Sequence, residues 1–138
     1  MKIAVSACLL GENCKYNGNN NYNKKLVNYI KDHDIISLCP EVLGGLPTPR
    51  KPAEIVDGVV KLENGLSVDY EFKKGAQTAL DKVKENQVDL VILQSRSPSC
   101  GVNKIYDGSF SGKLIDGKGV FTKLLEDNGI DVLDVEDL

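Results

Sequence analysis

Val88-Asp89-Leu90-Val91-Ile92-Leu93-Gln94 is the stretch on which the fold turns. It is a short apolar run, rich in Val, Ile and Leu, and too short to stand as a helix. A polar loop follows it, from Ser95 to Asn103, with Pro98 and Gly101 inside. Such a run reads as a strand of a parallel sheet, buried on both faces. The segment before it reads differently. From Asp69, which can cap a helix, to about Asn86, the apolar residues Phe72, Ala76, Ala79, Leu80 and Val83 recur at helical spacing. That stripe is ordinary core.

The same alternation extends outward in both directions. Lys2 to Ala7 reads as a strand around Ile3, Ala4 and Val5. Residues 8–22, polar and rich in Asn and Gly, form a loop. Asn23 can cap a helix over about 24–32, with Leu26, Val27 and Ile30 on one face. Asp34 to Leu38 is a second strand, ending at Cys39-Pro40. Four prolines and Gly44-Gly45 make residues 40–53 a rigid loop. Towards the end, residues 117–128 hold a helix with Val120, Phe121, Leu124 and Leu125 as its apolar face, stopped by Gly129. Ile130 to Val135 is a last strand. Glu54–Leu62 and Ile105–Ile115 read as hairpins, turning at Asp57-Gly58 and near Asp107-Gly108. The expected architecture is α/β: a Rossmann-like three-layer sandwich in one domain over residues 1–138. Its sheet is mostly parallel, with four or more strands and small β-hairpin insertions.

Composition narrows the function classes. The chain has 138 residues, 41% hydrophobic and 27% charged, with a net charge of −3. That size supports a core without disulfides. The slight negative charge gives no electrostatic case for nucleic acid or an anionic membrane as partner. No segment approaches the roughly 18–20 apolar residues of a membrane span. The apolar run at residues 3–5 is too short for a signal peptide. A cytoplasmic location is expected. There, four cysteines serve metal binding or catalysis more often than disulfides.

Their positions sharpen this. Cys8 follows the first strand, Cys39 the second, and Cys100 lies in the loop after Val88–Gln94. In an open parallel sheet all three fall at the carboxyl edge, where ligands bind. Thiolates favour zinc or iron–sulfur clusters. Structural zinc sites show paired cysteines two to four residues apart, and this chain has no such pair. Isolated cysteines suit a cluster seated in a pocket built by the fold, with Gly11, Gly44, Gly45 and Gly101 allowing close backbone approach. Three thiolates on a four-iron cluster leave one iron open as a Lewis acid with an affinity for sulfur. Cys14 as a fourth ligand would close the cluster and make the protein an electron carrier or sensor. The residue pattern leaves both readings open, and a structural zinc site stands as a third.

Other polar residues share these loops. Glu41, two residues after Cys39, suits a general acid/base. Ser97 and Ser99 flank Pro98 just before Cys100 and can hydrogen-bond a substrate. Arg50 and Arg96 can clamp a carbonyl or an anionic group. Lys15, Tyr16 and Asn17 offer an aromatic face and donors. No Gly-rich nucleotide-binding motif is present.

Four stretches carry a family resemblance. They are Val5-Ser6-Ala7-Cys8-Leu9-Leu10-Gly11, the run from Cys39-Pro40-Glu41 to Pro49-Arg50, Ser95-Arg96-Ser97-Pro98-Ser99-Cys100-Gly101, and Tyr106-Asp107-Gly108-Ser109-Phe110-Ser111-Gly112. Together they resemble the DUF523 family, whose members include thiouracil desulfidases. The resemblance implies a [4Fe–4S] cluster on Cys8, Cys39 and Cys100. It also implies a free iron that takes the sulfur of a thiolated pyrimidine, hydrolysis at the ring carbon, and hydrosulfide release. Glu41 would move protons and Ser97 would assist. Tyr16, Arg50, Arg96 and Ser99 are the expected substrate contacts. The chain departs from many relatives at Lys15 and Asn17, where Arg and Asp are frequent, and at Gln94, where Lys is frequent.

Overall fold

The computed structural model describes all 138 residues. Its chain order is β1 (Lys2–Ser6), α1 (Lys24–Ile30), β2 (Asp34–Leu38), α2 (Pro40–Leu43), β3 (Ala53–Val56), β4 (Val59–Leu62), α3 (Asp69–Glu85), β5 (Leu90–Leu93), β6 (Lys104–Tyr106), β7 (Leu114–Asp116), α4 (Val120–Asp127) and β8 (Val132–Asp134). Four strands form one parallel sheet in the order β2-β1-β5-β8. The hairpins β3–β4 and β6–β7 are separate two-stranded antiparallel sheets.

Alternation along the central strands sorts side chains to two faces. Ala4, Val91 and Leu93 join Phe121 and Leu125 of α4 and Ala76, Ala79, Leu80 and Val83 of α3 on one face. Ile3, Val5 and Ile92 meet Leu26 and Ile30 of α1 on the other. These strand residues are essentially inaccessible to solvent, and each of the larger ones contributes about 1.5–3 kcal/mol of burial free energy. The result is the three-layer sandwich expected from the alternation.

Local chemistry fixes the ends of the elements. Asn23 caps α1 by accepting the Leu26 N–H at 2.9 Å. Asp69 opens α3 but does not cap it; its Oδ1 accepts the Val60 N–H across to β4 at 3.0 Å. Two short helical pieces appear where loops were expected. Residues 7–10 form a single 3-10 turn closed by Gly11. Residues 40–43 form α2, because Pro40 has its φ already set for a first helical position and lacks only an N–H that would go unpaired there. The second hairpin differs too: its strands are three residues each, joined by a long loop over residues 107–113 rather than a tight turn.

The order β2-β1-β5-β8 places a topological switch between β1 and β5. From β1 the chain leads to β2 on one side, and from β5 to β8 on the other. A crevice opens at such a point beyond the carboxyl ends of the strands.

Candidate active site and metal centre

Three loops meet in that crevice. Ser6 ends β1, and its hydroxyl accepts the Gln94 N–H just beyond β5 at 3.0 Å, tying the two central strand ends together. Cys8 follows in the 3-10 turn and is buried. Cys39 has extended backbone immediately before α2. Cys100 closes a turn whose backbone is grafted onto α4: Pro98 and Ser99 carbonyls accept the N–H groups of Val120 and Phe121 at 2.8 and 2.9 Å. All three cysteines line one cavity of about 580 Å³.

α2 is held on α3 by a pair of glycines. A Cβ at Gly75 would lie 1.8 Å from the Pro40 carbonyl oxygen, and one at Gly44 would lie 2.0 Å from that of Glu71. Only glycine permits so close an approach. The contact places Glu41 at the cavity. Its Oε2 accepts the Ser99 hydroxyl at 2.8 Å, and Ser97 Oγ stands 2.8 Å from Ser99 Oγ and 3.5 Å from Glu41 Oε2. Ser97 Oγ also accepts the Ser99 and Cys100 N–H groups at 3.0 and 3.1 Å. On its other side, Glu41 Oε1 accepts from Arg50 Nε at 3.1 Å. The remaining Arg50 donors reach the Pro47 carbonyl, Thr48 Oγ1 and the Cys14 carbonyl at 3.2, 3.1 and 2.9 Å. A continuous chain thus runs from the two serines through Glu41 to a nearly buried guanidinium.

The thiols differ in acidity. Cys39 is lowered to about 7, chiefly by a hydrogen bond from the Cys14 thiol, which together with the Val42 N–H and the Arg50 charge outweighs the cost of burial and of the nearby Glu41 charge. Cys8 is lowered by a hydrogen bond from Cys14 against the cost of burial, with Asn21 Nδ2 donating at 3.5 Å. Cys14, the shared donor, is raised. Burial pushes Cys100 up to about 12, against the hydrogen bonds of Ser6 and Ser99. Cys8 and Cys39 are therefore the more readily ionised thiols and Cys100 the least.

This donor set fits an iron–sulfur cluster. Thiolates are its ligands, and they come from three loops around a cavity far larger than one ion. No group of three or more His, Cys, Asp or Glu is close enough to hold a single ion.

Comparison with known proteins agrees. The family model of 2-thiouracil desulfurase matches residues 3–137. The chain belongs to the 2-thiouracil desulfurase family. The DUF523 resemblance read from the motifs is to this same family. Among its relatives, the uncharacterized protein YbbK of Bacillus subtilis (strain 168) is 38% identical over 146 residues, covering 99% of this chain and 97% of YbbK. Among solved structures, the [4Fe–4S]-dependent thiouracil desulfidase TudS is similar with a TM-score of 0.94 and 41% identity, over 99% of this chain and 92% of that one.

In this desulfurase-family chain Cys8, Tyr16, Cys39, Glu41, Arg50, Arg96, Ser97, Ser99 and Cys100 all line this cavity, whereas Asn17 and the glycines Gly11, Gly44, Gly45 and Gly101 do not. They do not stand alike towards it. Ser99 is buried behind the half-buried Ser97. Arg96 pairs with Glu136 at 3.2 Å, and Tyr16 is exposed beside Lys15. The cavity also takes in Cys14, Asn21, Glu54, Tyr106 and Phe110. Cys14 was read from the sequence as the alternative fourth ligand that would close the cluster. Asn21 gave no signal among its neighbouring asparagines, and Glu54 read as an ordinary hairpin residue.

Proposed function

We propose that this chain is a desulfidase that hydrolyses the C=S group of a thiolated pyrimidine, such as thiouracil or a thiouridine nucleotide, to C=O and hydrosulfide. Residues 1–138 act as one domain, and the four free thiols suit a cytoplasmic, reducing compartment. The observation that carries the proposal is the convergence of Cys8, Cys39 and Cys100 with the Ser97–Ser99–Glu41 chain on one cavity. Family membership and the likeness to TudS point the same way.

Cys8, Cys39 and Cys100 would hold a [4Fe–4S] cluster, which supplies when bound a Lewis-acidic iron without a protein ligand and with an affinity for sulfur. The protein groups handle the water and the protons. Glu41 takes a proton from the attacking water, and Arg50 keeps the carboxylate aimed by holding Oε1 while Oε2 faces the serines. Ser97, the more accessible hydroxyl, turns its one proton from Ser99 to the pyrimidine ring when substrate binds, and Ser99 keeps its own proton on Glu41. Tyr16 and Arg96 border the substrate at the mouth. Water supplies the oxygen and two protons, sulfur leaves as hydrosulfide, and no net oxidation or reduction occurs.

The test is anaerobic. Protein reconstituted with iron and sulfide should release hydrosulfide from 2-thiouracil or 4-thiouridine monophosphate. An intact cluster with no release from either compound, or from any other thiolated pyrimidine, refutes the proposal.

A further inference from the structure

The loop Asp107–Lys113 joins β6 to β7 and reaches the cavity through Phe110 and Gly112, beside Tyr106 of β6. It is built to be rigid. Its ends close through the Asp107 N–H on the Lys113 carbonyl at 2.9 Å. Asp107 Oδ1 accepts the Ser109 N–H at 2.9 Å. Two further N–H groups, those of Gly108 and Phe110, converge on a single oxygen, Glu54 Oε1, at 2.9 and 3.1 Å. Glu54 lies on β3 and is only 9% exposed. Gly108 sits so tightly on β3 that a Cβ there would lie 2.7 Å from the Ile55 carbonyl oxygen.

The residue held this way is unusual. Phe110 has φ 57, the left-handed region that bulky side chains avoid. Strain of this kind persists only where the surroundings over-determine it, and it gathers at ligand sites. Here the surroundings are the two N–H groups on one buried carboxylate. Their effect is to keep an aromatic residue at the wall of the cavity, on the side where Tyr106 also borders it.

We propose that Phe110 is the stacking surface for the pyrimidine ring and that Glu54 is the positioning residue that holds it there. The inference rests on the desulfidase reading and adds to it the wall that orients the ring. A planar heteroaromatic ring gains by stacking on an aromatic side chain whatever its substituents, so the wall contributes affinity without reading the thiocarbonyl.

The experiment uses cluster-loaded protein and four variants: Phe110→Leu, Phe110→Tyr, Glu54→Ala and Glu54→Gln. KM and kcat are measured for 2-thiouracil, along with its equilibrium-dialysis affinity, the inhibition constant of uracil, iron content and Tm. Phe110→Leu keeps apolar bulk but removes the π-face; KM, the dissociation constant and the uracil inhibition constant should each rise on the order of tenfold, with kcat within about twofold. Phe110→Tyr should match wild type. Glu54→Ala should reproduce the Phe110→Leu pattern with iron content intact, and Glu54→Gln should restore wild-type values because an amide oxygen accepts the same two N–H groups. Wild-type binding constants for Phe110→Leu overturn the stacking surface, and wild-type constants for Glu54→Ala overturn the positioning role. Absence of sulfide release in wild type, with binding still dependent on Phe110, would refute the desulfidase reading and leave the wall standing.

Discussion

Gly75→Ala is the substitution by which the fold can be made to disturb the chemistry without replacing a cavity residue. Gly75 lies inside α3, where alanine by itself is about 1 kcal/mol better than glycine. The new Cβ, however, would sit 1.8 Å from the Pro40 carbonyl oxygen, where real Cβ contacts stay at or beyond 3.0 Å. α2 must therefore retreat by the difference, about 1.2 Å, since the oxygen belongs to backbone, Cβ is fixed to it directly, and no flexible side chain can swing away. Overpacking of this kind costs about 1–3 kcal/mol, so after the helical gain the net loss of stability is about 0–2 kcal/mol. For a chain this long that lowers Tm by at most about 8 °C. α2 carries Glu41, whose 2.8 Å contact with Ser99 does not survive such a shift. A displacement of about 1 Å in a catalytic constellation costs on the order of 100-fold in rate. The assay is anaerobic sulfide release by cluster-loaded protein, with Tm and iron content measured on the same sample. The expected result is a folded variant, full iron content and kcat down by about two orders of magnitude. Wild-type kcat would show that the α2–α3 contact does not set the position of Glu41.

Other changes test other links. Cys14→Ser should leave the iron content and the spectrum of the anaerobically reconstituted cluster unchanged; a changed spectrum would make Cys14 a fourth ligand and favour the electron-carrier or sensor reading. Arg50→Lys cannot reach the four acceptors that the guanidinium now serves, and lost charge-assisted hydrogen bonds cost about 1.5–3 kcal/mol each, so both Tm and kcat should fall. Asp69 should make folding acid-sensitive: burial pushes its carboxyl up, but Lys73 and the Val60 N–H outweigh this and hold it below 3.8. A lowered folded-state pKa gives stability that is present above the unfolded value and lost as pH falls through the folded one. Against Asp69→Asn, wild type should therefore keep a constant advantage of about 0.5 kcal/mol above pH ~5 and lose it towards pH ~3, as urea titrations at each pH would show.

Much of this was legible in the chain itself, for physical reasons. The run Val88–Gln94 is short and almost continuously apolar and the stripe Phe72–Val83 obeys the helical period, so strand and helix announce themselves, and their alternation dictates a parallel sheet. A parallel sheet puts every strand-to-helix loop at one edge, which is why the sequence alone brings Cys8, Cys39 and Cys100 together. What stayed hidden depends on distance in three dimensions. Strand order has no local signal, so the switch between β1 and β5 emerged only from the structure. The helix at Pro40 was masked by the prolines and glycines around it. Glu54 reads as one polar residue of a hairpin; its hold on Phe110 joins residues 56 apart in sequence. Arg50 looked available for a substrate; it lines the cavity, with four of its five N–H groups engaged by Glu41, Thr48 and two backbone carbonyls, a fact of packing that residue type cannot reveal.

The central claim is that this site exchanges sulfur for the oxygen of water. The direct measurement is turnover of 2-thiouracil in 18O-labelled water by anaerobically reconstituted protein of known iron content, with hydrosulfide and uracil both quantified. Equal amounts of hydrosulfide and uracil are expected, with the label in the carbonyl that replaced C=S. Unlabelled uracil, or an intact cluster with no uracil formed, would contradict it.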